Sequence, residues 1–208
     1  MESNEKGPNG GFRRTCHGNT TARRSGWIFN RRMNEMKNIT RVFIHGLDSS
    51  SRGTKGNFFR ERYPGMKMGD YFGPLDFRMA QLERELRGTG NLLLVGSSYG
   101  GLMATLFAFS NETRVRRLIL LAPALGHADW DARLRQPLRI PVTIYHGRSD
   151  DVVPPKPTRQ IAARIFGNLD HHLVEDDHNL HRIFPKLDWD TLLEIPGKDL
   201  LDKAGGIP

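Results

Sequence analysis

Leu92-Leu93-Leu94-Val95-Gly96-Ser97-Ser98-Tyr99-Gly100 decides the reading of this chain. Four apolar residues make a strand-sized run. The stretch from Leu102 to Phe109 behind the pentapeptide is helix-like. Between them lies a turn that carries a serine and is flanked by glycines. A serine on a sharp strand-to-helix turn has its hydroxyl thrust clear of the backbone at the C-terminal edge of a sheet, where it can act as a nucleophile. The glycines choose between the two serines. Ser98 has Gly96 and Gly100 two residues away on either side, whereas Ser97 has Val95 and Tyr99, too bulky for so tight a bend. Ser98 is the candidate.

Strand and helix signals alternate on both sides of this turn. Strands are expected over 41–44, 66–68, 92–95, 117–121, 142–145 and 170–174. Helices are expected over 56–63, 75–87, 101–109, 156–166 and 181–193, with a loop and short helix over 123–141. In the second helix, Phe77, Leu82 and Leu86 fall near helical spacing. Alternation with continuously apolar strands implies a largely parallel sheet with helices on both faces. Right-handed crossovers then put every strand C-terminus on one edge, where ligand-handling loops gather.

The residues following the strands supply chemistry on that edge. The first strand is followed by His45-Gly46-Leu47-Asp48-Ser49-Ser50 and the central one by Ser98. The strand ending at Tyr145 is followed by His146-Gly147-Arg148-Ser149-Asp150-Asp151-Val152-Val153-Pro154. The last is followed by Glu175-Asp176-Asp177-His178. Nucleophile, acid and imidazole occur in the order Ser, Asp, His.

With these four motifs the chain resembles the α/β-hydrolase superfamily from about Arg41 to the last helix. It is most similar to small bacterial esterase-like members without a large lid. The resemblance implies a single-domain three-layer α/β sandwich of about six mostly parallel strands. Many members begin with an extra hairpin that this chain replaces with a polar tail. It also implies Ser98 as nucleophile, Asp150 as acid and His178 as base. The backbone N–H groups of Leu47 and Tyr99 would serve as oxyanion donors. Such a member needs no cofactor and no metal.

The residue types suit the chemistry. A serine hydroxyl is a poor nucleophile until a base takes its proton. Histidine takes and returns a proton near neutrality, with an unperturbed pKa of about 6.5. A carboxylate behind the ring holds its tautomer. Activity is therefore expected to rise between about pH 6 and 7. Asp151 and Asp129 are rivals for the acid, and His181, His171 and His172 for the base. His45 and His146 read as structural groups bonded to loop backbone. Asp48 and Ser49-Ser50-Ser51 read as caps for the next helix, with substrate contact as the rival role. His127 and Trp130 are candidates for a pocket wall or a plain surface loop. Metal spacing is absent: there is no HExxH and no cysteine pair, and the adjacent His171 and His172 would point to opposite faces of a strand.

Composition sets bounds around this reading. With 208 residues, 38% of them hydrophobic, the chain suits one domain with a substantial core. Its mean hydropathy of −0.52 and the lack of a bilayer-length apolar run imply a soluble protein with no membrane partner. The single cysteine, Cys16, excludes an intrachain disulfide. With no secretory signal visible, a cytoplasmic location is expected. The net charge is +8, but residues 1 to 38 hold eight basic and three acidic groups. Their balance of +5 leaves only +3 for the remainder. The body is near balance and shows no basic-aromatic stripe, so nucleic acid is not an expected partner. Residues 1–38 read as disordered: a flexible basic tail, an Arg-rich transit-like peptide that Glu2, Glu5 and the many glycines fit poorly, or, the favoured reading, an extension from a misplaced start, since Met33 and Met36 precede the first strand. Residues 39–208 form the hydrolase-like domain. The expected partner is a small ester or thioester. An amide or peptide hydrolase and a non-catalytic scaffold are the alternatives. Composition fixes no oligomeric state.

Overall fold

A computed structural model describes residues 38–133 and 136–196. The tail expected over residues 1–38 lies outside the described residues but for its last. Five strands form one sheet: β1 (Thr40–Ile44), β2 (Leu92–Ser97), β3 (Val115–Leu121), β4 (Val142–Gly147) and β5 (Leu169–Val174). Every neighbouring pair is parallel, and the strands lie in chain order across the sheet.

The expected sixth strand is reduced to a bridge. Lys67 pairs with the free edge of β1, accepting from the Phe43 N–H at 2.9 Å and donating to the Arg41 carbonyl at 2.9 Å. Pro64-Gly65 before it and Gly69 after it leave three residues for pairing, too few for a ladder.

Alternation along the strands divides the core in two. From β2, Leu92 and Leu94 face one side with Leu118 and Leu120 of β3. Leu93 and Val95 face the other with Ile119 and Leu121. The first side is covered by α2 (Leu75–Glu85), α3 (Tyr99–Ser110) and α5 (Pro155–Ile165). The second is covered by α1 (Thr54–Arg62) and the C-terminal segment with α6 (Trp189–Leu192). A short α4 begins at Trp130 and ends at Arg133. The three expected layers are present. A fully buried leucine in them contributes about 2 kcal/mol through apolar area removed from water. Phe59, Phe184 and Trp189 meet edge-on or tilted, with Phe59 and Trp189 centroids 4.8 Å apart, so the terminal segment is pinned to α1.

Three local expectations change. The last helix, expected over 181–193, is a 3₁₀ turn (Phe184–Lys186) followed by α6. Pro185 lacks the N–H a continuous helix needs, and Asp188 starts a new helix by accepting from the Thr191 N–H. The Asp48–Ser51 stretch does not cap α1, whose N-cap is Gly53 with no side-chain bond. Ser51 instead gives its N–H and hydroxyl to Asp70, and Asp48 and Ser49 line a pocket. On α2, Phe77 is 64% exposed while Arg78 is buried, so the buried stripe runs Arg78–Leu82–Leu86.

Candidate active site

Ser98 sits between β2 and α3 at φ 54°, ψ −117°, a conformation that L side chains avoid. The flanking glycines make this bend possible. A methyl group on Gly96 would lie 2.5 Å from the Gly100 carbonyl oxygen, and one on Gly100 would overlap the Ile44 and His45 carbonyls of the neighbouring strand. The turn is held by backbone bonds. Ser98 N–H donates to Leu121 O at 2.8 Å, and Ser98 O accepts from Ala124 N–H at 3.0 Å. On the other side, a methyl on Gly46 would stand 3.4 Å from Ser98 Cβ, so the loop after β1 passes close to the hydroxyl.

The loops after β2, β4 and β5 converge. His178 Nε2 stands 3.1 Å from Ser98 Oγ, and its Nδ1 2.8 Å from Asp150 Oδ2. With a carboxylate at Nδ1, the proton belongs there, which leaves Nε2 free to accept from the serine hydroxyl. The His178 side chain is 14% exposed and that of Asp150 fully buried. Asp150 Oδ1 accepts from the N–H groups of Val152 and Val153 at 3.0 and 2.7 Å, which fixes the carboxylate plane.

The rivals are elsewhere. Asp151 is exposed. His181 Nδ1–H donates to Asp177 Oδ2 at 2.8 Å within an exposed turn rather than starting a helix. His171 and His172 point to opposite faces of β5: His172 stacks on Tyr145, and His171 faces His146. Burial, with the neighbouring His146, pushes the His171 imidazolium below the usual histidine range. Asp129 is exposed. His45 is structural: Nδ1–H donates to Gly46 O at 2.7 Å and Nε2 accepts from Tyr71 N–H at 3.1 Å. His146 has a further role, since Nε2–H faces both Val153 O at 2.8 Å and Asp150 Oδ2 at 3.1 Å. Trp130 is buried, its Nε1–H bonded to Leu125 O, so it belongs to the core; His127 lines the pocket.

The N–H groups of Leu47 and Tyr99 donate to no backbone carbonyl among the described residues. Tyr99 opens α3, where a first-turn N–H has no partner within the helix. Both residues border a pocket of about 410 Å³ that also contains Ser98 and His178. Leu47, Val152 and Tyr99 give it apolar surface; Asp48, Lys55 and Asn179 give it polar surface. Burial pushes the Lys55 ammonium below the usual lysine range, against the pull of Asp177 and Asp176.

Sequence reasoning missed two carboxylates that hold the loops. Asp176, buried, accepts from the N–H groups of Asp177, Arg182 and Ile183 and so shapes the loop bearing His178. Asp70 accepts from Ser51, whose N–H holds its carboxyl below the usual carboxylate range, and so anchors the loop after β1. Neither has a spacing signal, because each bonds backbone brought to it by the fold. Among the described residues, no three or more His, Cys, Asp or Glu side chains are grouped to hold a metal ion. None of the described helices is long and apolar enough to cross a membrane.

A family model described as the alpha/beta hydrolase family matches residues 16–201. No curated protein matches the sequence. Similar solved structures include the mouse alpha/beta hydrolase domain-containing protein 10, at 20% identity. It covers 80% of this chain and 90% of that one, with a TM-score of 0.55. A YdeN-like hydrolase from Pectobacterium atrosepticum is 20% identical over 80% of this chain and 94% of that one, TM-score 0.57. An alpha-beta serine hydrolase homologue from Coxiella burnetii is 15% identical over 76% and 85%, TM-score 0.59. At these identities the structural likeness speaks for the fold.

Proposed function

This chain belongs to the alpha/beta hydrolase family, and from that premise we propose that it is a serine hydrolase acting on small carboxylic esters, with thioesters next in preference. The observation that carries the reading is the continuous hydrogen-bonded line from Ser98 Oγ through the His178 ring to Asp150 Oδ2, at 3.1 and 2.8 Å.

In this mechanism Ser98 Oγ attacks the acyl carbon while its proton passes to His178 Nε2. Asp150 stabilises the resulting imidazolium through Nδ1–H. The N–H groups of Leu47 and Tyr99 receive the negative charge that develops on the carbonyl oxygen; one such donor contributes on the order of 10²–10³ in rate. The imidazolium then protonates the departing alcohol or thiol. Water, deprotonated by His178, releases the acid from Ser98.

A pocket of about 410 Å³ favours short or medium acyl groups. The test is labelling of the intact protein by a fluorophosphonate probe, read by mass spectrometry, alongside turnover of p-nitrophenyl acetate. One label is expected on the wild type and none on Ser98→Ala, which should also lose turnover. Labelling that persists in Ser98→Ala, or a wild type that neither reacts nor turns over, refutes the proposal. A panel of esters, thioesters and aminoacyl amides then orders the substrate classes.

A further inference from the structure

Arg78 is out of place by every rule of helix burial. It occupies the core-facing stripe of α2, where a leucine would serve, and is 6% exposed. No carboxylate stands within 4 Å of it among the described residues. Its Nη1 is buried without a hydrogen-bond partner among them. A guanidinium keeps its charge in proteins, so this is a buried cation with no counter-ion, a costly arrangement that packing alone does not explain.

Its contacts indicate what offsets that cost. Nε donates to Gly73 O at 2.8 Å, which fixes the guanidinium at the start of α2. Nη2 donates to Leu47 O at 3.3 Å, and the guanidinium carbon lies 5.6 Å from the Tyr99 ring centroid, within cation–π reach. One side chain thus touches both residues whose N–H groups were assigned to the oxyanion. Leu47 is 49% exposed and lies on the loop after β1.

We infer that Arg78 is a positioning residue of the oxyanion site, holding Leu47 by its carbonyl and Tyr99 by its ring and keeping a fixed positive charge beside both residues. This rests on Ser98 being the nucleophile. As the Ser98 Oγ–carbon bond forms, the carbonyl π pair moves onto oxygen and the hydroxyl proton moves to His178. The negative charge then appears in the field of a cation already desolvated and oriented, so no reorganisation is needed. Its counter-ion exists only during the reaction.

Arg78→Gln keeps an amide donor and removes the charge; Arg78→Lys keeps the charge and loses the planar fork. With p-nitrophenyl acetate, kcat of Arg78→Gln is expected to fall about 10²-fold with KM within about threefold, and Arg78→Lys to recover at least about tenfold of that loss. The inhibition constant of an alkyl boronic acid, whose serine adduct is a tetrahedral anion, should rise in proportion to the loss of kcat/KM. A purely structural role would leave boronate affinity unchanged relative to substrate. Circular dichroism checks that the variants fold. Where either fails to fold, Tyr99→Leu removes the ring under the guanidinium and leaves the N–H, and a kcat loss of about fivefold or more is expected. Equal kcat for Arg78→Gln and wild type, equal loss in the Gln and Lys variants with unchanged boronate affinity, or an unaltered kcat in Tyr99→Leu overturns the inference. A wild type that takes up no fluorophosphonate label would instead sink the hydrolase reading beneath it.

Discussion

Gly147→Ala isolates the geometry on which the site depends. Gly147 ends β4, four-fifths of the way across the sheet, and its Cα faces the loop after β5. A methyl group added there would overlap the carbonyl oxygens of Asp176 and Asp177 and lie 2.8 Å from the Asp176 carbonyl carbon. Ordinary contact needs at least 3.4 Å, so one of the two backbones must move by more than half an ångström. The β4 side is held by the ladder to β5 and by the Arg148 N–H to Val174 O bond of 2.8 Å. The loop carrying His178 is therefore the part that yields. The overlap costs about 1–3 kcal/mol of stability, as for other overpacked sites. It also lengthens the His178 contacts of 2.8 and 3.1 Å, and a displacement near 1 Å costs about 10² in rate. Ester turnover by Gly147→Ala should fall by about that factor, while a urea melt shows the stability loss. Gly126→Ala is the control, since a methyl there meets nothing within 4 Å. Turnover by Gly147→Ala within twofold of wild type, with the stability loss present, would refute the link between this loop's position and activity.

Other outcomes follow from the same geometry. Asp176→Ala leaves the N–H groups of Arg182 and Ile183 without their acceptor and should destabilise the fold by about 2–4 kcal/mol in a urea melt while lowering turnover. His181→Gln should leave turnover within about twofold, since its partner is Asp177 and not the serine. The carboxyls of Asp70 and Asp177 are held below the usual 3.8, by the Ser51 N–H and by His181 respectively. A depressed carboxyl contributes stability above its unfolded value and loses it as pH falls through the lower folded value. Stability should thus drop below about pH 4, and Asp70→Asn should flatten that drop in acid titrations followed by circular dichroism. Arg41→Met should cost about 1–2 kcal/mol, because its guanidinium donates to the Leu193 and Glu194 carbonyls at 2.7 and 2.8 Å and ties the C-terminal segment to β1.

Local pattern determined much of this protein. The apolar runs bounded by turns lie in β1 to β4, and a glycine on each side of Ser98 selected the residue that adopts φ 54°. Both follow from sterics within a few residues, so they are legible along the chain. The order of Ser98, Asp150 and His178 at strand ends was legible too, because parallel strands with right-handed crossovers leave one edge for such loops. What tertiary structure alone decided is long-range. The family resemblance implies Asp150 over Asp151, but the contact that turns it inward to His178 spans 28 residues and exists only in the fold. Lys67 pairs with β1 by a single bridge rather than a strand. On α2 the periodic pattern offered Phe77, yet the buried position belongs to Arg78, whose guanidinium donates to Leu47 O as no phenyl ring could and lies over Tyr99. Periodicity reports which face of a helix is apolar; it carries no information on which polar groups from distant segments will meet that face, and the buried cation beside the serine turn is set by that meeting alone.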